Sequence, residues 1–323
     1  MNSTFRNFVL GAALVAGWAS TAEAQQVFRR SQFFVNPYLS NPAVAGTLPE
    51  SPISASFRNQ WAGFDGAPRT NTLSGHTSLP NRFGLGGVIY SDNTGGAIKQ
   101  SGVEVTGSYT IDLNNYDAVS FGLSLMANQW SFDNDLEVWD VEDPALQWGM
   151  EQSMSLDANF GMMIFGEAYS FGFAIPQLLQ TKSGLSPSPN ASSNNENSLF
   201  RHFRFMGRYA YDVNKDFALE ASGLVRFTAV TPAQLDVYIK GTYAQAAWVM
   251  LGMRAGDAVL VGTGVNVDQF GLAYTYDITS TDARLFSPHT HELTLTYFMP
   301  RSGGFSSRSL NSKRIIGRSR LVR

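Results

Sequence analysis

About fourteen short segments of this chain alternate apolar with polar residues, and that period of two constrains the fold more than any other feature. In residues 102–112, Val103, Val105, Gly107, Tyr109 and Ile111 fall on one face, and Glu104, Thr106, Ser108 and Thr110 on the other. Side chains alternate across a strand, so each such segment has one greasy and one wet side. Met154, Leu156, Ala158, Phe160 and Met162 likewise oppose Ser153, Ser155, Asp157 and Asn159. Leu235, Val237 and Ile239 oppose Gln234, Asp236 and Lys240. Alternation suits a soluble β-sandwich, whose greasy face is core, and a membrane barrel, whose greasy face meets lipid.

Loop lengths separate the two. Strands are expected near 52–60, 69–78, 82–91, 97–112, 117–129, 152–164, 168–176, 199–211, 216–227, 233–242, 246–254, 257–265, 269–276 and 289–298. Counted in order, the even connections, such as 79–81, 113–116, 165–167 and 212–215, are tight, and the long loops 129–151, 176–198 and 276–288 are among the odd ones. Short periplasmic turns and long outer loops belong to outer-membrane barrels, with both termini on the periplasmic side. The expected fold is all-β: a transmembrane antiparallel β-barrel of about 14 strands over 52–298, in the outer membrane of a Gram-negative bacterium.

The flanks fit that compartment. Residues 1–24 have the parts of a secretory signal: Arg6, an apolar run from Phe8 to Trp18, and a small-residue site ending Ala22-Glu23-Ala24. The chain has no cysteine, so no lipoprotein anchor follows the signal, and no later apolar run approaches the ~20 residues of a spanning helix. Thirty glycines, 23 phenylalanines and 12 tyrosines with 15% charged residues suit strands that pack closely and carry aromatic girdles. Trp61, Trp130, Tyr209, Tyr211, Trp248, Tyr274, Tyr276 and Tyr297 are near strand ends, where interfacial rings are expected. Net charge is −3, yet residues 299–323 carry only basic charges, including Arg314, Arg318, Arg320 and Arg323. This tail reads as a separate periplasmic element, either plain solvated chain or a contact for an acidic partner or the cell wall.

Residues 25–51 form a lead segment expected on the periplasmic side, punctuated by Asn36-Pro37-Tyr38 and by Asn41-Pro42-Ala43-Val44-Ala45-Gly46. The first strand runs into Arg58-Asn59-Gln60-Trp61-Ala62-Gly63-Phe64-Asp65-Gly66-Ala67-Pro68-Arg69-Thr70, and Gly84-Leu85-Gly86-Gly87 opens the third. In this order and spacing the blocks resemble the PorP/SprF family of outer-membrane proteins of the Bacteroidetes type IX secretion and gliding machinery. Val44 replaces the tyrosine usual in that family's lead motif. The resemblance covers essentially the whole mature chain. It implies a non-enzymatic part in exporting or anchoring a secreted adhesin-like cargo, with other type IX components, including a periplasmic peptidoglycan-binding lipoprotein, as partners. On that reading Trp61, Gly63, Phe64, Asp65, Gly66, Pro68 and Arg69 are candidates for an outer partner, Arg314, Arg318, Arg320 and Arg323 for a periplasmic one, and Asn41, Pro42 and Gly46 mark the lead motif.

Chemistry is sparse. His289 and His291 share an apolar row with Leu293, Leu295 and Tyr297 and have no evident third metal ligand, so rim histidines are expected and no metal. Ser74 and His76 share a face with Thr70 and Thr72 but lack a nucleophile elbow, which reads as a polar lumen row and no enzyme. Gly84-Leu85-Gly86-Gly87 begins a strand with no helix after it, so close packing is expected, and no cofactor. Inward charges are expected at Glu104, Asp157, His202, Arg204, Arg208, Glu220, Arg226, Asp236 and Lys240, pairing across the lumen or lining a pore. The loop 131–151 interleaves Trp139 and Trp148 with carboxylates, either as a solvated loop or as a docking surface; its spacing matches no EF-hand. Nucleic acid is not an expected partner. The competing function is a passive channel or small-molecule transporter, unless the lead segment fills the barrel.

Overall fold

The computed structural model describes residues 29–63, 66–96, 98–132, 151–181, 201–228, 232–244, 246–281 and 289–300. The signal, the arginines of the tail, Phe64, Asp65 and most of the acidic loop lie outside them.

Fourteen strands close into one barrel. They are β1 (Ser51–Asn59), β2 (Arg69–Ser78), β3 (Phe83–Thr94), β4 (Ile98–Asp112), β5 (Ala118–Phe132), β6 (Glu151–Phe165), β7 (Tyr169–Ile175), β8 (His202–Asp212), β9 (Phe217–Thr228), β10 (Gln234–Tyr243), β11 (Ala247–Arg254), β12 (Ala258–Val267), β13 (Phe270–Thr279) and β14 (His289–Met299). Each pairs antiparallel with its chain neighbours, and β1 closes on β14 from Ser51↔Met299 to Asn59↔His291. Every segment read from the alternation is a strand. The loop side is therefore the β1–β2, β3–β4 and β13–β14 end, and the turn side is where β1 begins.

The exterior carries the greasy residues: Phe57, Ile89, Val105, Leu125 and Leu251 are each more than half exposed. A belt of that extent on a monomer needs an apolar covering, which a bilayer supplies. No helix among the described residues is long and apolar enough to cross a membrane. On the turn side, Asn114 Oδ1 accepts from the amides of Tyr116 and Asp117, and Asn214 Oδ1 from those of Asp216 and Phe217. A short amide side chain thus satisfies the amides that a two-strand reversal would orphan. Hydrogen bonds from Asn114 and the Tyr169 hydroxyl hold the Asp117 carboxyl below the usual carboxylate range.

The lead segment occupies the lumen. Arg29 reaches Asp257 in the loop-side β11–β12 connection at 2.7 Å, Asn36 donates to Ser74 at 2.8 Å, and the Gly46 amide donates to His76 Nδ1 at 3.2 Å. The chain thus runs through the barrel from the loop side to the turn side before β1 begins. The sequence put this segment on the periplasmic side without fixing whether it filled the barrel. Its prolines open two 3₁₀ turns, Pro37–Leu39 and Pro42–Val44, which suits a residue with fixed φ and no amide proton. Such turns satisfy part of their backbone hydrogen bonding internally, as a chain away from any strand partner needs.

Candidate functional site: the filled lumen and its loop-side rim

The inward face of the wall is mostly polar, with apolar patches at Val88, Met163, Leu224, Trp248, Met250 and Leu260, and the lead segment answers both kinds of surface. Tyr38 shares a hydrogen bond with Thr106 at 2.7 Å, and Ser108 Oγ donates to the Ala45 carbonyl at 2.6 Å. Asn41 is fully buried: its Oδ1 caps the Ala43 amide at 2.9 Å, and its Nδ2 donates to the carbonyls of Met162 (3.0 Å) and Phe173 (3.4 Å). Ala43, Val44 and Ala45 are buried beside it. The fit depends on bare backbone in the wall: a Cβ on Gly86 would be 2.6 Å from the Tyr38 oxygen, and one on Gly122 would overlap Pro42 and Ala43. Gly86, read as a close-packing glycine, makes room for the plug as well as for its neighbouring strands. A cavity of ≈ 40 Å³ between Phe33, Phe34, Val44, Met163 and Met206 is left between plug and wall. That is room for little more than solvent.

Asn41→Ala removes one cap and both donors to wall carbonyls. It is expected to cost about 1–3 kcal/mol, because buried polar groups lose their partners. Equilibrium urea unfolding of the barrel in lipid vesicles measures this.

Toward the loop side the plug is held by charge. Arg58 pairs with Glu292 at 2.9 Å and Asp277 at 3.2 Å, both partners buried. Ser31 lies among them, donating its amide to Glu292 at 2.7 Å and its hydroxyl to Asp277 at 2.5 Å, and accepting from Arg58 at 2.6 Å. Arg254 continues the chain to Asp277 (3.4 Å) and Asp236 (3.3 Å), and Arg226 also takes Asp236 at 2.6 Å. Lower down, Glu220 holds Arg208 at 2.7 Å and Lys240 at 3.1 Å. Lys240 also lies over the rings of Phe34 and Trp248, and Phe33, Phe34, Tyr238 and Trp248 pack as one aromatic cluster.

Two expectations change here. Trp248 is 8% exposed and lines the lumen with Met250 and Arg254, because it shares their inward phase and Phe34 gives it an apolar partner. Trp130 takes the inward phase of Asn128 and is half-buried. Tyr209 and Tyr211 do face outward, more than half exposed.

The sequence reading missed Arg58, Arg254, Asp277 and Glu292. Phase was the available signal: Glu292 falls between the outward His291 and Leu293, and Arg58 continues the inward row of Ser54 and Ser56. The inward charges that were expected do take inward positions. Thr70, Thr72, Ser74 and His76 form a buried row, and Asn36 and Gly46 of the plug engage Ser74 and His76. His291 bonds Tyr274 at 2.7 Å and His289 bonds Tyr276, an aromatic row on the outer face. Among the described residues no three metal-ligating side chains come together.

The candidate outer motif forms a compact rim. Trp61 is 37% exposed with φ 55°, and its amide donates to Thr290 Oγ1 at 3.1 Å. Ala62 donates to the His289 carbonyl at 2.8 Å, and the Gly66 carbonyl accepts from Gly95 at 3.0 Å. The loop is thus tied to β14 on one side and to the β3–β4 hairpin on the other. Gly63 and Arg69 are exposed, whereas Gly66 and Pro68 are half-buried. In the lead motif Asn41 and Pro42 are buried, and Gly46 has φ 73°, a turn conformation that favours glycine.

A family model described as type IX secretion system membrane protein PorP/SprF matches residues 22–297. A comparison with curated proteins finds no match. Among solved structures, the monoaromatic hydrocarbon channel CymD aligns with TM-score 0.51 at 9% identity, covering 83% of this chain and 93% of its own, which is likeness of fold alone. A Pseudomonas aeruginosa FadL homologue aligns with TM-score 0.46 at 11% identity, covering 80% of this chain and 92% of its own.

Proposed function

From the premise that this chain belongs to the PorP/SprF family, and so is an outer-membrane component of type IX secretion, we propose that it acts as a closed, non-enzymatic platform for a cognate secreted adhesin-like protein. The single observation that carries the reading is the filled lumen. With Tyr38, Asn41, Ala43, Val44 and Ala45 buried across the interior, a folded or extended protein has no route through this barrel. Its working surface is then the loop side, where Trp61, Ala62 and Gly66 are tied to neighbouring strands and Trp61 offers an exposed indole, the kind of side chain that anchors protein contacts. The family and the barrel fold are non-catalytic kinds of protein, and Ser74 and His76 are both taken up by the plug.

Family membership implies contact with other type IX components. A periplasmic contact is proposed for the basic tail through Arg314, Arg318, Arg320 and Arg323 on charge alone. A division into signal 1–24, lead 25–51, barrel and tail 299–323 goes with this reading. The channel alternative keeps a place only if the plug leaves the lumen.

The test is the surface and medium proteome of a strain lacking the protein, against strains with the full chain or one truncated after Pro300. Loss of one or a few large exported proteins in the deletion is expected, and a shared loss in the truncation assigns that role to the tail. An unchanged proteome with altered solute uptake overturns the platform in favour of the channel.

A further inference from the structure

Among the described residues, nearly every other cation facing the lumen from the wall has a carboxylate. Arg58, Arg208, Arg226, Lys240 and Arg254 each have one within 3.4 Å. Arg204 of β8 has none among them. Its Nη1 donates to main-chain oxygens of the plug, those of Leu39 at 3.5 Å and Ser40 at 3.4 Å. The Nη1 of Arg30 meets the same Leu39 oxygen at 3.4 Å, so two guanidinium groups converge on one carbonyl.

Register adds a third. Arg204 lies directly opposite Arg226 in the β8–β9 ladder, and His202 precedes Arg204 on the same inward face, one step nearer the loop side. Like charges directly opposed destabilise a sheet. Of the carboxylates around these cations none pairs with Arg204: Asp236 is shared by Arg226 and Arg254, Glu292 and Asp92 act on Arg30, and Glu104 of β4 reaches Arg204 only from a distance, without an ion pair. His202 Nε2 and Arg226 Nε are buried with no hydrogen-bond partner among the described residues. A concentration of donors around an arginine without a carboxylate is costly unless an acceptor enters from outside.

We propose that His202, Arg204 and Arg226 of the wall, with Arg30 of the plug, form an oxyanion site on the loop side of the lumen, for a carboxylate or a phosphate. A guanidinium fork holds two oxygens of either group, and the plug carbonyls of Leu39 and Ser40 bound the site on one side. The opposing reading is structural: Arg204 serves only to tie down two plug carbonyls.

The two readings part in one experiment. Full-length protein in detergent is titrated calorimetrically with inorganic phosphate and, separately, with acetate, against chloride at equal ionic strength. Saturable binding of either anion is expected, weakened at least tenfold in Arg204→Gln and partly kept in Arg204→Lys; phosphate alone points to a phosphorylated ligand, acetate alone to a carboxylate. In chloride, Arg204→Gln is expected to melt at or above the wild-type temperature, because an unneutralised cation is gone. No binding of either anion, or binding unchanged in Arg204→Gln, overturns the site. Arg204→Gln melting lower in chloride, with no dependence on anion, makes Arg204 a strap for the plug and also overturns it.

Discussion

A chain lacking residues 29–46 is expected to conduct ions steadily in a planar bilayer, whereas the full chain is silent. A barrel of about fourteen strands encloses more space than its own inward side chains fill. Here the remainder is taken by the lead segment, with Phe33, Phe34, Tyr38 and Val44 buried inside. Once it is removed, the exposed wall includes Ser54, Thr72, Ser74, Thr106, Ser124 and Thr294, polar positions that water wets along the whole lumen beside the apolar patch of Trp248 and Met250. The shift in gel mobility between heated and unheated samples reports whether the shortened barrel still folds. Steady conduction by the full chain at the level of the deletion would return the protein to the channel class.

Arg58→Ala is expected to lose about 3–5 kcal/mol of stability, since it takes the buried cation from Glu292 and leaves Asp277 with Arg254 alone. Ser31 loses one of its donors at the same time, so the loop-side anchor of the plug loosens along with the wall. Urea unfolding in lipid vesicles gives the number. The double variant Arg58→Met with Glu292→Gln is expected to recover part of the loss, because it removes a charge from each side. A change below about 1 kcal/mol for Arg58→Ala, the range of exposed ion pairs, would mean that the network is hydrated and does not hold the plug.

The wall was legible in the sequence because a strand writes its two faces with period two: Val103 against Glu104 and Leu235 against Asp236 each take the expected side. The plug was not. Residues 29–50 have no period, and the Asn-Pro pairs that mark its turns look the same in a linker outside the barrel. The turn of Val44 is buried against β4, β5 and β6, and Tyr38 against His76, Gly86 and Thr106 of β2, β3 and β4, and no local pattern encodes those contacts. Gly122 shows the same limit: a glycine in a strand signals close approach, but not of what. Arg254 and Asp277 are near strand ends, where the inward phase is fixed only once the register is known. Trp248 followed its inward phase and not the interfacial preference of its ring, because Phe34 supplies an apolar neighbour in the lumen.

The most direct test of a barrel closed by its own lead segment uses the chain's lack of cysteine. Asn36→Cys with Ser74→Cys replaces a plug-to-wall hydrogen bond of 2.8 Å, and Ser54→Cys with Thr296→Cys replaces a wall-to-wall one of 2.9 Å as a control. Both pairs are to be treated with a short bifunctional thiol reagent in native outer membranes and read by gel mobility. Cross-linking of both pairs is the expected result. A control that cross-links while the plug-to-wall pair stays unlinked would place the lead segment outside the lumen and contradict the closed barrel.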